Sequence, residues 1–107
     1  MWTVTPPTSH LRKLRRDLGP DYAITEIDLE SVIYRDFGND YDVEISGANT
    51  NNLQKGVNVY LWHEKRKIVA EIRDLPQSQI YSCVEKILAP LVALFGKEGD
   101  KGEEKPP

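Results

Sequence analysis

The stretch VNVYLWHEKRKIVAEIRD, Val57 to Asp74, restricts the fold more than any other part of the chain. Two runs of β-branched and aromatic residues alternate with a period of two on either side of a charged turn, the pattern of an antiparallel hairpin. An even loop around Lys65–Arg66 pairs Val59 with Ile72 and Leu61 with Ala70 on one side. The same side takes Val57 and Ile68, which makes it a core face. The other side pairs Tyr60 with Glu71, Trp62 with Val69 and Glu64 with Lys67, so two large aromatics stand where solvent is expected.

A second period-two region lies upstream. ITEIDLESVIYRD and YDVEIS flank the turn residues FGND, predicting a second hairpin over about 31–46. An even loop places Asp36 opposite Tyr41, Tyr34 opposite Val43 and Val32 opposite Ile45 on the core face. Arg35 with Asp42, and Ile33 with Glu44, then face out. The residues before Ser31 alternate out of phase with those after it, which predicts a bend or bulge near Glu30–Ser31.

Helical spacing brackets these strands. Leu11, Leu14 and Leu18 share one helix face, Thr8 or Ser9 supplies a cap, and Gly19-Pro20 ends the run, predicting a helix over about 9–18. A second helix is expected over about 76–95, opening within RDLPQSQ, where Asp74 with Gln77 forms a capping box or Ser78 a competing cap. Ile80, Cys83, Val84, Ile87, Leu88 and Leu91 form its core stripe, and Pro90 should kink or break it. Residues 1–7 read as an irregular leader. The polar GANTNNLQKG, Gly47 to Gly56, is a long loop, and the charged, glycine-rich residues 96–107 read as a disordered tail.

The predicted architecture is an α+β two-layer sandwich, residues 1–95, with a four-stranded antiparallel sheet and both helices on one face. The element order is similar to that of double-stranded RNA-binding domains, as a likeness of topology alone. Those domains carry basic residues at the start of their second helix, where this chain has LPQSQ, so no function follows.

Composition narrows the chemistry. With 107 residues and 39% apolar content, the chain has enough material for one core. A single cysteine, Cys83, excludes an intrachain disulfide, and no run of 18 apolar residues or signal pattern points to a membrane. Cytoplasmic location is the expectation. Net charge is −3, unevenly spread: residues 1–20 hold four basic residues against Asp17, and residues 21–50 hold eight acids against Arg35.

No catalytic constellation is evident. His10 and His63 lie far apart, and Cys83 falls on a core stripe, so the expected protein is not an enzyme and takes no small-molecule substrate. DFGNDYDVE departs from the EF-hand loop, with Gly38 at a ligand position and Tyr41 where glycine is required, and no zinc spacing exists. No metal and no cofactor are predicted.

Two surfaces suit binding. The leading one is the outer sheet face: Tyr60, Trp62, Val69 and Ile33 with a polar rim of Glu44, Glu71 and Arg73, the aromatic-in-rim anatomy of a protein–protein contact. Val92 and Phe95, within the apolar run Ile87 to Phe95, add a possible dimer contact, because one core cannot cover every side of that helix. The alternative is phosphate binding by Arg12, Lys13, Arg15 and Arg16, disfavoured by the acidic segment that follows. The sequence therefore predicts a protein-interaction module or a homodimer.

Overall fold

A computed structural model describes residues 5–95. The start of the leader, with Trp2, and the tail 96–107 lie outside the described residues. Helix α1 (Ser9–Leu18) is followed by strands β1 (Tyr22–Ile27), β2 (Glu30–Gly38), β3 (Tyr41–Ser46), β4 (Val57–His63) and β5 (Lys67–Leu75). Helix α2 (Gln77–Phe95) ends the described part. The five strands form one antiparallel sheet in chain order.

The sheet has five strands where four were expected. The additional strand is β1, joined to β2 by a two-residue turn in which Asp28 and Leu29 have φ of 51° and 67°. Such a turn ordinarily carries Asn-Gly or Asp-Gly, because both central residues must be left-handed. Asp-Leu conceals it, and the change of phase expected as a bend at Glu30–Ser31 is this hairpin.

The β2–β3 register also differs by one residue. Asn39 and Asp40 are both left-handed, at φ of 54° and 67°, and Gly38 sits at 81°. Phe37 is an extra residue on β2, so Ile33 pairs with Ile45, Arg35 with Val43, Tyr34 with Glu44 and Asp36 with Asp42. A one-residue slip exchanges the faces of a strand. Ile33 consequently points into the core and is fully buried, so it leaves the outer surface to which it was assigned. Tyr34 moves the other way.

The β4–β5 hairpin keeps the expected pairs Val59–Ile72, Tyr60–Glu71 and Leu61–Ala70. Its turn is Glu64–Lys65, both at φ 56°, closed by donation from Arg66 N to His63 O at 3.1 Å. Trp62 stands opposite Ile68, because the register shifts there and leaves Val69 as the bulged residue. Ile68, expected inside, is exposed.

Both helices cover the same face, as the apolar pattern requires. Leu11 from α1 meets Tyr22, Ile33, Val43, Ile45, Val57, Val59 and Leu61 from the sheet and Ile80, Val84, Leu88 and Val92 from α2 in one cluster. Each fully buried aliphatic side chain contributes about 1.5–3 kcal/mol. Thr8 caps α1 by accepting from Leu11 N, and Gly19 N–H bonds to Arg15 O at its end.

Helix α2 runs through Pro90 without a break. Ser82–Leu88 is π-helical, with Ala89 N–H donating to Val84 O five residues back. This wider turn reconciles the helix with a proline that offers no donor. It also turns the buried face. In an α-helix the series Ile80, Val84, Leu88, Val92 would drift by about 40° per step, and wider turns reduce that drift. All four are therefore buried, while Ile87, expected in the stripe, is 60% exposed. Val92 is spent on the domain's own core, and Phe95 packs against Tyr41 at 5.7 Å between ring centroids, so neither is a free dimer contact.

Loop 47–56 is fastened at the end of the sheet away from the β4–β5 turn. Asn49 receives Thr8 N–H and donates to Pro6 O, while Gln77 donates to Asn52 O and Lys55 O. The described leader and this loop therefore lie away from Trp62.

Candidate functional site

Strict alternation and the observed register bring Thr25 and Ile27 of β1, Tyr34 of β2, Asp42 and Glu44 of β3, and Tyr60 and Trp62 of β4 to the sheet face opposite the helices. Across this face runs a concavity of about 480 Å³. Tyr34, Trp62, Asp42 and Glu44 line it with Thr25 and Ile27, and Asp28 and Lys65 stand at its ends.

Both carboxylates on β3 are buried although no helix covers them: Asp42 is 4% exposed and Glu44 8%. Each has one oxygen engaged by an aromatic donor. Trp62 Nε1 donates to Glu44 Oε1 at 3.0 Å, and the Tyr34 hydroxyl donates to Asp42 Oδ2. Asp42 Oδ1 is buried with no hydrogen-bond partner among the described residues. The Lys65 ammonium lies 5.7 Å from the centroid of the Tyr34 ring, within the range at which a π face attracts a cation.

These surroundings change the ionisation of the site. Burial pushes the Glu44 carboxyl above its ordinary value; donation from Trp62 opposes the rise, and the charges of Glu30, Asp28 and Asp42 reinforce it. Burial and the bond to Asp42 push the Tyr34 hydroxyl well up, so it remains a donor across the physiological range.

Of the residues proposed for this face, Trp62, Tyr60, Glu44 and Glu71 are where the alternation put them, with Glu71 opposite Tyr60 and paired to Arg73 at the rim. Val69 is exposed on its bulge, and Ile33 is inside. Tyr34, Asp42 and Lys65 were missed as site residues. The glycine of FGND directly before Asn39-Asp40 is the signal that reveals Tyr34, since a glycine there marks a bulge that reverses its face, whereas Asp42 was already expected to face out.

The other candidates are dispersed. His63 stacks on Tyr41 at 4.4 Å between centroids. His10 Nε2 bonds with Gln77 Oε1 at 2.6 Å and makes no ion pair among the described residues. Cys83 is buried and its thiol is pushed up by burial. Among the described residues no group of three His, Cys, Asp or Glu side chains converges as a metal site would require. On α1, Lys13 pairs with Asp17 at 2.9 Å and Arg15 donates to Tyr22 O, while Arg12 and Arg16 make no ion pair among the described residues.

Compared with known protein families, curated proteins and solved structures, the chain matches none.

Proposed function

We propose that this protein is a non-enzymatic interaction module of the cytoplasm that receives a protein partner on its outer sheet face, centred on Trp62. The observation that carries this reading is the carboxylate–aromatic concavity on the side of the sheet left free by both helices. Building buried Asp42 and Glu44 into an uncovered face costs stability, a cost without structural return unless the face is used. Exposed Ile68 and Val69 extend the surface beside Trp62, and the Glu71–Arg73 pair forms a polar margin. An apolar centre with a charged rim is the anatomy of a specific contact.

The test is affinity capture from the native cell extract with wild-type and Trp62→Lys baits, alongside light scattering on a sizing column. A partner, or a dimer, held by the wild type and lost by the variant supports the reading. Undiminished capture or self-association by a folded Trp62→Lys chain removes it.

A further inference from the structure

We infer that the concavity between Tyr34 and Trp62 takes the side-chain ammonium of a lysine presented by the partner protein. This rests on the outer face being the binding surface and adds the chemistry of what it binds.

The first argument is the state of Asp42. A carboxylate oxygen that is buried and unpartnered is uncommon in folded proteins and costs stability. Asp42 Oδ1 is such an atom, on a residue 4% exposed that lines an open concavity. A donor entering the concavity completes it once the Asp42 carboxyl turns this oxygen toward the opening. Asp28, Asp42 and Glu44 all line the same space, which favours a cationic donor and disfavours an anionic ligand.

The second argument selects ammonium over guanidinium. Arginine binds best when both oxygens of one carboxylate face it as a fork. Here Tyr34 occupies one oxygen of Asp42 and Trp62 one oxygen of Glu44. What remains is one oxygen on each of two residues two positions apart on β3. A compact head whose three donors rotate freely suits such single acceptors better than a planar fork does. The faces of Tyr34 and Trp62 add cation–π attraction, and Ile27 and Thr25 offer a wall to an aliphatic stem.

The third argument is that the chain already places such a group at the edge of the site. Lys65, on the β4–β5 turn, holds its ammonium over Tyr34 without an ion pair among the described residues. It is an exposed residue in a position to compete with an incoming lysine. The inference therefore predicts opposite effects from two kinds of substitution: loss of a carboxylate weakens binding, and loss of the Lys65 charge strengthens it.

The experiment follows the Trp62 indole N–H by NMR in the full chain, the signal being assigned by its loss in Trp62→Phe. The probes are acetylated, amidated pentapeptides with one central lysine, arginine or norleucine flanked by glycine and serine. The lysine peptide should give a saturable shift, the arginine peptide should bind about fivefold more weakly, and the norleucine peptide should give none. Asp42→Asn and Glu44→Gln, which keep shape and leave the amide spectrum dispersed, should each weaken the lysine peptide about fivefold, and Lys65→Gln should tighten it about twofold. No saturable shift, equal binding of norleucine, or indifference to both carboxamide variants would overturn the inference. Loss of partner capture in Trp62→Lys with no lysine binding leaves the docking surface and removes the ammonium. Lysine binding with undiminished capture does the reverse.

Discussion

Trp62 and Glu44 stand diagonally on adjacent strands, and the indole N–H reaches across 3.0 Å to a carboxylate that is 8% exposed. The residue directly opposite Trp62 is Asp42. One ring thus covers one acid and hydrogen-bonds the next. This arrangement keeps two negative charges on a single strand face at the expense of their hydration.

Glu44→Gln is expected to stabilise the fold at neutral pH by about 1 kcal/mol, since it removes a buried charge while retaining an oxygen for Trp62. The sign follows from the raised carboxyl. A group whose folded value lies above its unfolded one contributes stability in acid and loses it as pH rises through the folded value. The gain in Glu44→Gln should therefore shrink below the ordinary glutamate range and reach its full size above the raised value. Urea unfolding of both proteins across that range checks it.

Glu85 should behave in the opposite way. Its carboxylate holds Arg35 Nε at 2.8 Å and accepts from the Tyr22 hydroxyl at the junction of α2 with the sheet. The Arg35 guanidinium keeps its carboxyl below the usual value against the effect of burial. Its contribution is present above the unfolded value and is lost as pH falls through the depressed one. Glu85→Gln should cost about 1–3 kcal/mol near neutrality. The deficit should close in acid when the two unfolding midpoints are compared.

Leu29 occupies a left-handed position, φ 67°, with half its surface exposed. A γ-branched side chain there is strained by roughly 1–2 kcal/mol, and asparagine tolerates the conformation better. Leu29→Asn should raise stability by about 0.5–1 kcal/mol without altering the amide spectrum of β3 or β4. A lower urea midpoint would show that the Leu29 side chain is packed more usefully than its exposure suggests.

Gly56 is required for a close approach of chains. A Cβ placed there would meet Asp74 Oδ1 at 2.1 Å and the Asp74 backbone at 3.0 Å. Asp74 is itself left-handed and donates its N–H to Asn58 Oδ1. Gly56→Ala should cost about 1–3 kcal/mol. Thermal unfolding of the variant checks this, and an unchanged midpoint would mean that the loop moves aside freely.

Much of this fold is legible in the residues. The leucine spacing and caps of α1, the core face of β4, three of the β4–β5 pairs and the placement of both helices on one side follow from periodicity. What is hidden has a local physical cause in each case. Asp28-Leu29 lacks the glycine that announces a tight turn, so β1 merges with β2 in the pattern. Phe37 is one residue too many for an even loop, and that single insertion exchanges the faces of Ile33 and Tyr34. Pro90 is expected to kink or break the second helix, but α2 runs through it after a π-helical stretch at Ser82–Leu88, with Ile87 exposed and Val92 buried. The site suffers most from these shifts. Trp62, Glu44 and Asp42 are placed on the outer face by alternation alone, whereas Tyr34 joins them only through a register that a bulge decides.

The strand order carries a kinetic consequence. Every strand pairs with its nearest neighbour in the chain, and three of the four connections between strands are two-residue turns or close to it. Contacts formed across short sequence separations lose little chain entropy before they are rewarded, so such topologies fold fast. The sheet can zip from its turns, leaving the seating of α2 beside α1, joined through His10 and Gln77 across 67 residues, as the slow search.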